Sequence, residues 1–409
     1  MLWAAAAIGV SHLVQSTRAG ADAGFALSGV ILAALVLKYP FFEFGPRYAA
    51  ATGQSLVEGY AGVGRWAVWT YLLITLVTSV IVDAAILLFT GFLLLQVLGL
   101  EWPVWVAAGT LYLGCTGLLW VGRYRLLDRT VKIILVVLAV STVVAATVAM
   151  PRADLGTAAL LPFHGPPGKG ELVVPLAFVL ALVGWMPSAV DVSVWNSLWT
   201  LAKDESERIR TSVEHSLLDF RIGYVGTGLM AFAFVTLGAA VMHGSGDSFS
   251  DAGPAFSLQL VDLYAETLGG WAKPFVLGAV LTTMLSTSLT VVDGFPRGIA
   301  RSVEVLRGAR ARDVEVGETG RIYWYAVAAV GGATVFLLAF FAGSLTGMVD
   351  FATIVTFLTA PLLGYLNLRA VTSDAVSFAD RPGPVLRAAS WIAIGAAGVL
   401  GVVYLISLM

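Results

Sequence analysis

Apolar stretches of roughly twenty residues recur along the whole chain, separated by short polar segments that contain most of the charged residues. A transmembrane helix needs about 20 consecutive apolar residues, and nearly every stretch reaches that length. The pattern therefore predicts eleven membrane spans. Their approximate bounds are Leu2–Thr17, Phe25–Phe44, Trp66–Leu100, Val104–Val121, a fifth span that ends at Met150, Leu172–Leu201, Ile222–Met242, Trp271–Val292, Ile322–Ala342, Met348–Leu368 and Val385–Leu408.

Two of these spans are interrupted. The sixth contains Pro187 within an apolar run, and Gly184 lies just before it. Proline removes a backbone donor and clashes with the preceding turn, so the helix should break near Met186. The first span is short and is interrupted at Gly9–His12. Because unsatisfied backbone groups are costly in lipid, we expect both breaks to line a site enclosed by protein.

The two interrupted spans lie five spans apart, which is typical of two inverted five-helix repeats. We therefore expect one membrane transport domain over residues 1–409. The first repeat would occupy residues 1–150 and the second residues 172–370, with an additional span at 385–409. A dense set of arginines in Gly294–Arg321 predicts a loop between spans 8 and 9.

Composition supports a polytopic all-α membrane protein. The chain is 58% hydrophobic and 12% charged, whereas soluble domains average about 25% charged residues. One cysteine and four histidines exclude a disulfide framework and a Cys/His zinc cluster. No nucleophile–base set and no basic nucleic-acid patch are visible, so neither an enzyme nor a nucleic-acid-binding protein is expected. Placing the N-terminus in the cytoplasm puts most of the 24 Lys and Arg residues in cytoplasmic loops of a cell-membrane protein.

Four short motifs point to one family. Met186–Ser188 at the sixth-span break is similar to an MPH motif whose histidine is replaced. Gly20–Phe25 leads into span 2, Ala51–Glu58 follows that span, and Leu285–Thr290 is a run of small and polar residues in span 8. In these motifs, and in the order and length of its spans, the chain resembles the NRAMP family of proton-coupled divalent-metal transporters. The resemblance implies a LeuT-like fold with spans 1 and 6 broken at the midplane.

The resemblance also implies a metal site at the two breaks. In the family, a carbonyl and a methionine of span 6 hold the metal together with an aspartate and an asparagine of span 1. Matched by position, these four groups fall on Val183, Met186, Gly9 and His12. A glycine thus replaces the carboxylate, and the implied ligands are two carbonyls, an imidazole and a thioether, which suit softer or borderline metals. The residues expected to line this site are Ser11, Pro187 and Ser188.

Two of these assignments have plainer alternatives. His12 could fill the break through hydrogen bonds instead of binding metal, and Met186 could be an ordinary core residue. The position of Met186 immediately before the proline favours a role in the site.

Three charged residues are candidates for a coupling route. Asp83 matches a family aspartate of the proton route, and an ionisable group inside a span is functional by default. Asp191, about one turn after the break, could take a proton, hold Na⁺ with a nearby serine, or pair with Arg18 or Lys38. Arg18 could instead pair with Asp22, four residues further along the same helix face. We therefore assign Asp83, Asp191 and Arg18 to this route.

The leading hypothesis is a secondary active transporter that carries a divalent metal ion by alternating access in symport with protons, or with Na⁺ as the coupling ion. The missing carboxylate motivates a second hypothesis, in which the same fold transports a small anion or a polar organic solute, since helix N-termini exposed at a break attract anions. A third is a sensor or scaffold that no longer transports. No cofactor is expected besides the metal ion as substrate.

Overall fold

Helices make up nearly all of the structure, a computed structural model that describes residues 2–121, 124–159, 161–164, 171–308, 320–341 and 343–409. The first half contains α1 (Leu2–Ala7), a π-helical turn (Ser11–Ser16), α2 (Thr17–Ala23), α3 (Ser28–Thr52), α4 (Leu56–Val63), α5 (Arg65–Leu98), α6 (Val104–Trp120) and α7 (Tyr124–Ala149). The second half contains α8 (Leu176–Trp185), α9 (Val192–Glu207), α10 (Val213–Val241), α11 (Gly253–Leu268), α12 (Lys273–Leu306), α13 (Arg321–Phe341), α14 (Leu345–Val371) and α15 (Pro384–Ser407). Three 3₁₀ turns (Met150–Arg152, Leu155–Thr157 and Gly270–Ala272) and a hairpin of two short antiparallel strands, β1 (Phe163–His164) and β2 (Glu171–Leu172), complete the described chain.

Within the described ranges, seven helices are long and apolar enough to cross a membrane individually, namely α3, α5, α10, α12, α13, α14 and α15. Helices α6 and α8 and the later part of α7 are shorter apolar helices. Together with the interrupted first span, these helices account for the eleven spans that the hydrophobic pattern predicts. The prediction of an all-α polytopic protein is confirmed.

Both predicted breaks are present. Helix α1 ends at Ala7, the chain bends over the next two residues, and the span continues through the π-helical turn into α2. Helix α8 ends at Trp185 and α9 begins at Val192, so residues 186–191 interrupt the sixth span. Pro187 in this interval cannot donate a backbone hydrogen bond, which explains why the helix stops here. The bounds proposed for the two repeats remain a prediction.

The arginine-rich segment differs from the expected loop in its first part. Helix α12 continues without interruption to Leu306. Its charges are paired within the protein, because Arg297 contacts Asp293 at 2.7 Å and Arg301 contacts Glu58 of α4. Arginines that are paired with carboxylates can lie on a helix inside the protein. The prediction of a loop assumed that clustered arginines would be solvated. Residues 309–319 of the predicted loop lie outside the described residues.

Helices α2 and α10 approach each other closely through two glycines. A Cβ atom on Gly20 would lie 2.1 Å from the carbonyl oxygen of Val235. Likewise, a Cβ on Gly238 would lie 2.2 Å from the carbonyl oxygen of Thr17. Small residues allow such backbone contact between helices in membranes. The contact fixes the second half of the first span, α2, against span 7.

Candidate functional site

The carbonyl groups freed by the first break are satisfied inside the protein. The Gly9 carbonyl accepts hydrogen bonds from the backbone N–H groups of His12 (3.0 Å) and Leu13 (2.9 Å). The hydroxyl of Thr287 on α12 lies 3.2 Å from the Ile8 carbonyl and can donate to it. A Cβ on Gly9 would lie 2.8 Å from the Thr287 Oγ1 atom, so a glycine is needed for this close approach. The first break therefore packs directly on α12.

His12 is completely buried and both of its ring nitrogens have partners. Nε2 lies 2.9 Å from the carbonyl oxygen of Thr227 on α10, and because a carbonyl only accepts, Nε2 must donate this hydrogen bond. Nδ1 lies 2.8 Å from the Ser11 hydroxyl. This geometry favours the interpretation of His12 as a hydrogen-bonded filler of the break. Metal binding through Nδ1 would require loss of the Ser11 contact.

Lys38 of α3 occupies the second break. Its ammonium group donates to three carbonyl oxygens at 2.8–3.0 Å, those of Val183, Gly184 and Ser188. An ammonium has three N–H donors, so these contacts satisfy it fully. The side chain is buried. Because the C-terminal end of a helix carries the negative end of the helix dipole, a positive charge is stabilised at the end of α8.

A small cavity of about 30 Å³ lies between the two breaks. Its walls come from α1, the two breaks, α5, the end of α8, α9 and α12, with Trp185 and Trp195 as its largest side chains. Three of the predicted site residues line it: Gly9, Ser11 and Ser188. The other four are not among its lining residues: His12, Val183, Met186 and Pro187. Met186 is fully buried, and the residue before it, Trp185, lines the cavity.

Comparison with known proteins agrees with this arrangement. The family model described as natural resistance-associated macrophage protein-like, or Nramp, matches residues 1–407. The chain belongs to the Nramp family. A relative described as an uncharacterized protein of Pasteurella multocida (strain Pm70) is 33% identical over 374 residues, which cover 91% of this Nramp chain and 83% of the relative. The family resemblance inferred from the motifs is confirmed.

Solved structures show the same fold. A mutant of the Eremococcus coleocola manganese transporter has a TM-score of 0.71 at 15% identity, covering 98% of this Nramp chain and 84% of that chain. MhsT in complex with L-phenylalanine has a TM-score of 0.65 at 14% identity, covering 100% of this chain and 97% of that one. Mhp1, a nucleobase-cation-symport-1 family transporter, has a TM-score of 0.52 at 16% identity, with 98% and 88% covered. The LeuT-like fold is confirmed, and the Nramp chain is a transporter rather than an enzyme.

Arg18 of the Nramp chain pairs with neither Asp22 nor Asp191. Its guanidinium lies 2.8 Å from the carboxylate of Asp350 at the start of α14, and Gln15 donates to the same carboxylate at 2.8 Å. The pair is partly shielded from solvent. It ties the second half of the first span to span 10, on the side of the site opposite α1.

Asp191 and Asp83 are buried carboxylates without a hydrogen-bond partner in the described part of the Nramp chain. Asp191 ends the second break and is within electrostatic reach of the Tyr71 hydroxyl on α5. Asp83 is within electrostatic reach of Tyr112 on α6. The residue before it, Val82, lines the cavity. The ion pairs considered for Asp191, with Arg18 or Lys38, are not formed. Buried charge without a partner is costly, which points to a functional role for both residues.

The Arg18–Asp350 pair should restrict access to the cavity, and Asp350→Asn tests this. We place a reporter cysteine at Ser188 and measure its labelling by a water-soluble thiol reagent in detergent, where Cys115 is buried. If the pair stabilises the closed state by about 1 kcal/mol, its loss should raise the population of the open state, and with it the labelling rate, roughly fivefold. Asp262→Asn, which removes the exposed pair with Lys273, is the matched control and should leave the rate unchanged. Equal rates in all three proteins would argue against a gate.

Sequence reasoning missed the contacts of two residues in this site. The sequence indicates Lys38 only as a possible partner of Asp191. It indicates Thr287 only as part of a motif in span 8. The available signal for Lys38 was its position inside an apolar run, two residues before Pro40, where a solvated lysine is not expected.

Proposed function

We propose that this Nramp chain is a secondary active transporter that carries a divalent metal ion by alternating access, with protons as the coupling ion. Membership of the Nramp family supports transport, and the fold is that of solved transporters. One structurally similar protein is a manganese transporter, which makes Mn²⁺ the first ion to test.

The cavity between the two breaks is the observation that best supports transport of a small ion. Its volume is about 30 Å³, whereas a single water needs about 10–15 Å³ of such volume. The cavity therefore has room for an ion with one or two waters, and pockets for drug-sized solutes are roughly ten times larger. Hydroxyl groups of Ser11 and Ser188 and the backbone at Gly9 supply polar atoms around it. A small ion fits this space better than a polar organic solute.

The charges around the site favour a cation over an anion. The carbonyl groups at the end of α8 already hold a positively charged group, the Lys38 ammonium. Asp191 adds a buried carboxylate that lacks a partner in the described residues. A metal ion near Asp191 would gain a compensating negative charge, and the Met186 thioether lies in the same segment. An anion would be repelled by these carbonyl oxygens and by this carboxylate.

Alternating access would then involve the two broken spans. The Arg18–Asp350 pair would hold the first span against span 10 on one side, and its opening would admit the ion. Asp191, and Asp83 on the neighbouring scaffold helix, would accept or release the coupling proton. Na⁺ remains the alternative coupling ion. A carboxylate can accept a proton, and together with carbonyl oxygens it can also coordinate Na⁺.

Uptake of Mn²⁺ into proteoliposomes tests the cargo. A metal-quenched fluorophore is enclosed, and Mn²⁺ is added outside wild type, Met186→Leu and Met242→Leu. We expect saturable quenching by wild type, and a rise of about tenfold or more in the half-saturating concentration for Met186→Leu, because leucine keeps the volume and removes the thioether. Met242→Leu changes another buried methionine, at the end of α10, and should behave as wild type.

Absence of quenching from correctly inserted, monodisperse protein would refute metal transport. Flux of labelled anions or small solutes through the same vesicles would then identify the second hypothesis. Absence of any flux, combined with ligand-dependent stabilisation, would leave a sensor. Equal half-saturation in Met186→Leu and wild type would retain the metal cargo and remove the thioether from its ligands.

A further inference from the structure

A second, larger cavity lies among the membrane helices. Its volume is about 230 Å³, and it is enclosed by α3, α8, α14 and α15. It shares no lining residue with the small cavity between the two breaks. In the described part of the chain its walls are apolar, apart from Lys38. All three N–H donors of Lys38 are used by backbone carbonyl groups, so this side chain offers the cavity no free donor.

The cavity is open on the side where the structure faces lipid. On its rim, Ala33 of α3 and Ala396 of α15 are exposed. Large apolar side chains near this rim on the same two helices are exposed as well: Leu32, Val36, Ile392 and Val399. Both helices are long and apolar enough to cross a membrane, so this surface meets acyl chains. The inner wall is buried and includes Phe41, Val179 and Ala360.

The length of the cavity matches one leaflet of a bilayer. Its lining residues on α3 extend from Gly29, at the start of that helix, to Phe41, near its middle. This part of the helix rises about 18 Å, at about 1.5 Å per residue. One leaflet contributes about 15 Å of hydrocarbon, half of a core that is about 30 Å thick. An acyl chain whose headgroup lies at the membrane surface near Gly29 would therefore reach the inner end of the cavity.

The chemistry of the walls selects an apolar occupant. Apolar cavities of about 150 Å³ stay dry and bind molecules such as benzene, and an empty cavity costs more free energy as its volume grows. Acyl chains are the apolar molecules that surround these helices in a membrane. We propose that this cavity binds one acyl chain of a bilayer phospholipid, with the headgroup near Gly29 and Leu161. The chain packs against α8, the helix that ends at the second break, and its binding does not depend on the identity of the cargo.

Photolabelling of the complete chain tests the proposal. The protein is reconstituted in phosphatidylcholine vesicles in which a small fraction of the lipid has a diazirine in the middle of one acyl chain. After illumination, the labelled residues are identified by mass spectrometry. We expect labelling of Val179 on α8, which is only 5% exposed and which lipid that merely surrounds the protein does not reach. Leu113 of α6 is 72% exposed, so surrounding lipid should label it, and it serves as the internal reference.

Leucine substitutions that fill the cavity provide the comparison. Ala33→Leu and Ala397→Leu add volume from the α3 and α15 walls. In the double variant, labelling of Val179 relative to Leu113 should fall about fivefold or more. Because Ala33 is exposed, Ala33→Leu alone serves if the double variant does not fold. Ala388→Leu is the matched control: it makes the same substitution on α15, at an exposed position that does not line the cavity, and should be labelled as wild type.

Three outcomes would overturn the inference. In the first, labelling is confined to exposed residues. In the second, the labelling of Val179 is equal in wild type and in the filled variants. In the third, a free fatty acid with the same diazirine labels Val179 and phosphatidylcholine does not, so the occupant is not a phospholipid chain. A fall in the filled variants, with Ala388→Leu unchanged, would support the lipid site.

Discussion

Gly238→Ala should largely prevent the chain from reaching its stable fold. The added Cβ would lie 2.2 Å from the Thr17 carbonyl oxygen, and the atom it meets is backbone, which cannot rotate away. Helix α10 would have to move off α2, opening the matching contact of Gly20 with Val235. Overpacking costs about 1–3 kcal/mol where side chains can yield, and we expect at least the upper value here. Thermal unfolding monitored by size-exclusion chromatography in detergent measures the loss.

Gly226→Ala is the matched control, because it makes the same substitution in the same helix. No atom lies within 4 Å of the Cβ position at Gly226. Alanine is a better helix former than glycine by about 1 kcal/mol, so this variant should be as stable as wild type or slightly more stable. If both variants unfold at the same temperature, the close contact of α2 and α10 does not support the fold in the way we describe.

Most of the architecture could be predicted from the sequence, because the spans and the break in the sixth span depend on residues that are close together in the chain. Membrane spans are specified by continuous apolar length, and each of the eleven predicted spans corresponds to helix in the described part of the chain. The break at Pro187 is likewise a local property of the proline ring. The end of α12 could not be predicted in this way, because Arg301 remains helical through its contact with Glu58, which lies 243 residues earlier.

The site was less predictable, since its contacts join residues far apart in the chain. Position relative to the two breaks indicated Gly9, Ser11 and Ser188, and these line the cavity. The sequence alone did not show that Lys38 reaches carbonyl groups 145–150 residues away. A lysine near the end of a span ordinarily extends to the membrane surface, and only the three-dimensional arrangement shows that this one turns inward.

Glu58→Gln should lower the stability of the protein by about 3 kcal/mol, because it leaves a buried guanidinium without its main charge partner. Arg301 of α12 is buried, and it contacts the Glu58 carboxylate as well as Glu304 at 3.0 Å. Glutamine keeps the shape of the side chain and can still accept from the Ser55 backbone N–H in the capping box that begins α4. The substitution keeps the size of the side chain and removes its charge together with one of the two oxygens, the one that accepts from Arg301. Thermal unfolding in detergent gives the loss, and Mn²⁺ uptake shows whether the surviving protein still transports.

Asp262→Asn is the matched control, because it removes a carboxylate charge from an exposed ion pair instead of a buried one. It removes the carboxylate of an ion pair with Lys273, and both side chains of this pair are more than two-fifths exposed. Exposed ion pairs contribute about 0–1 kcal/mol, so the unfolding temperature should hardly change. A small effect of Glu58→Gln, equal to that of Asp262→Asn, would show that water or Glu304 compensates Arg301 in the variant. A large effect confined to Glu58→Gln would show that the buried pair of Arg301 and Glu58 stabilises the fold.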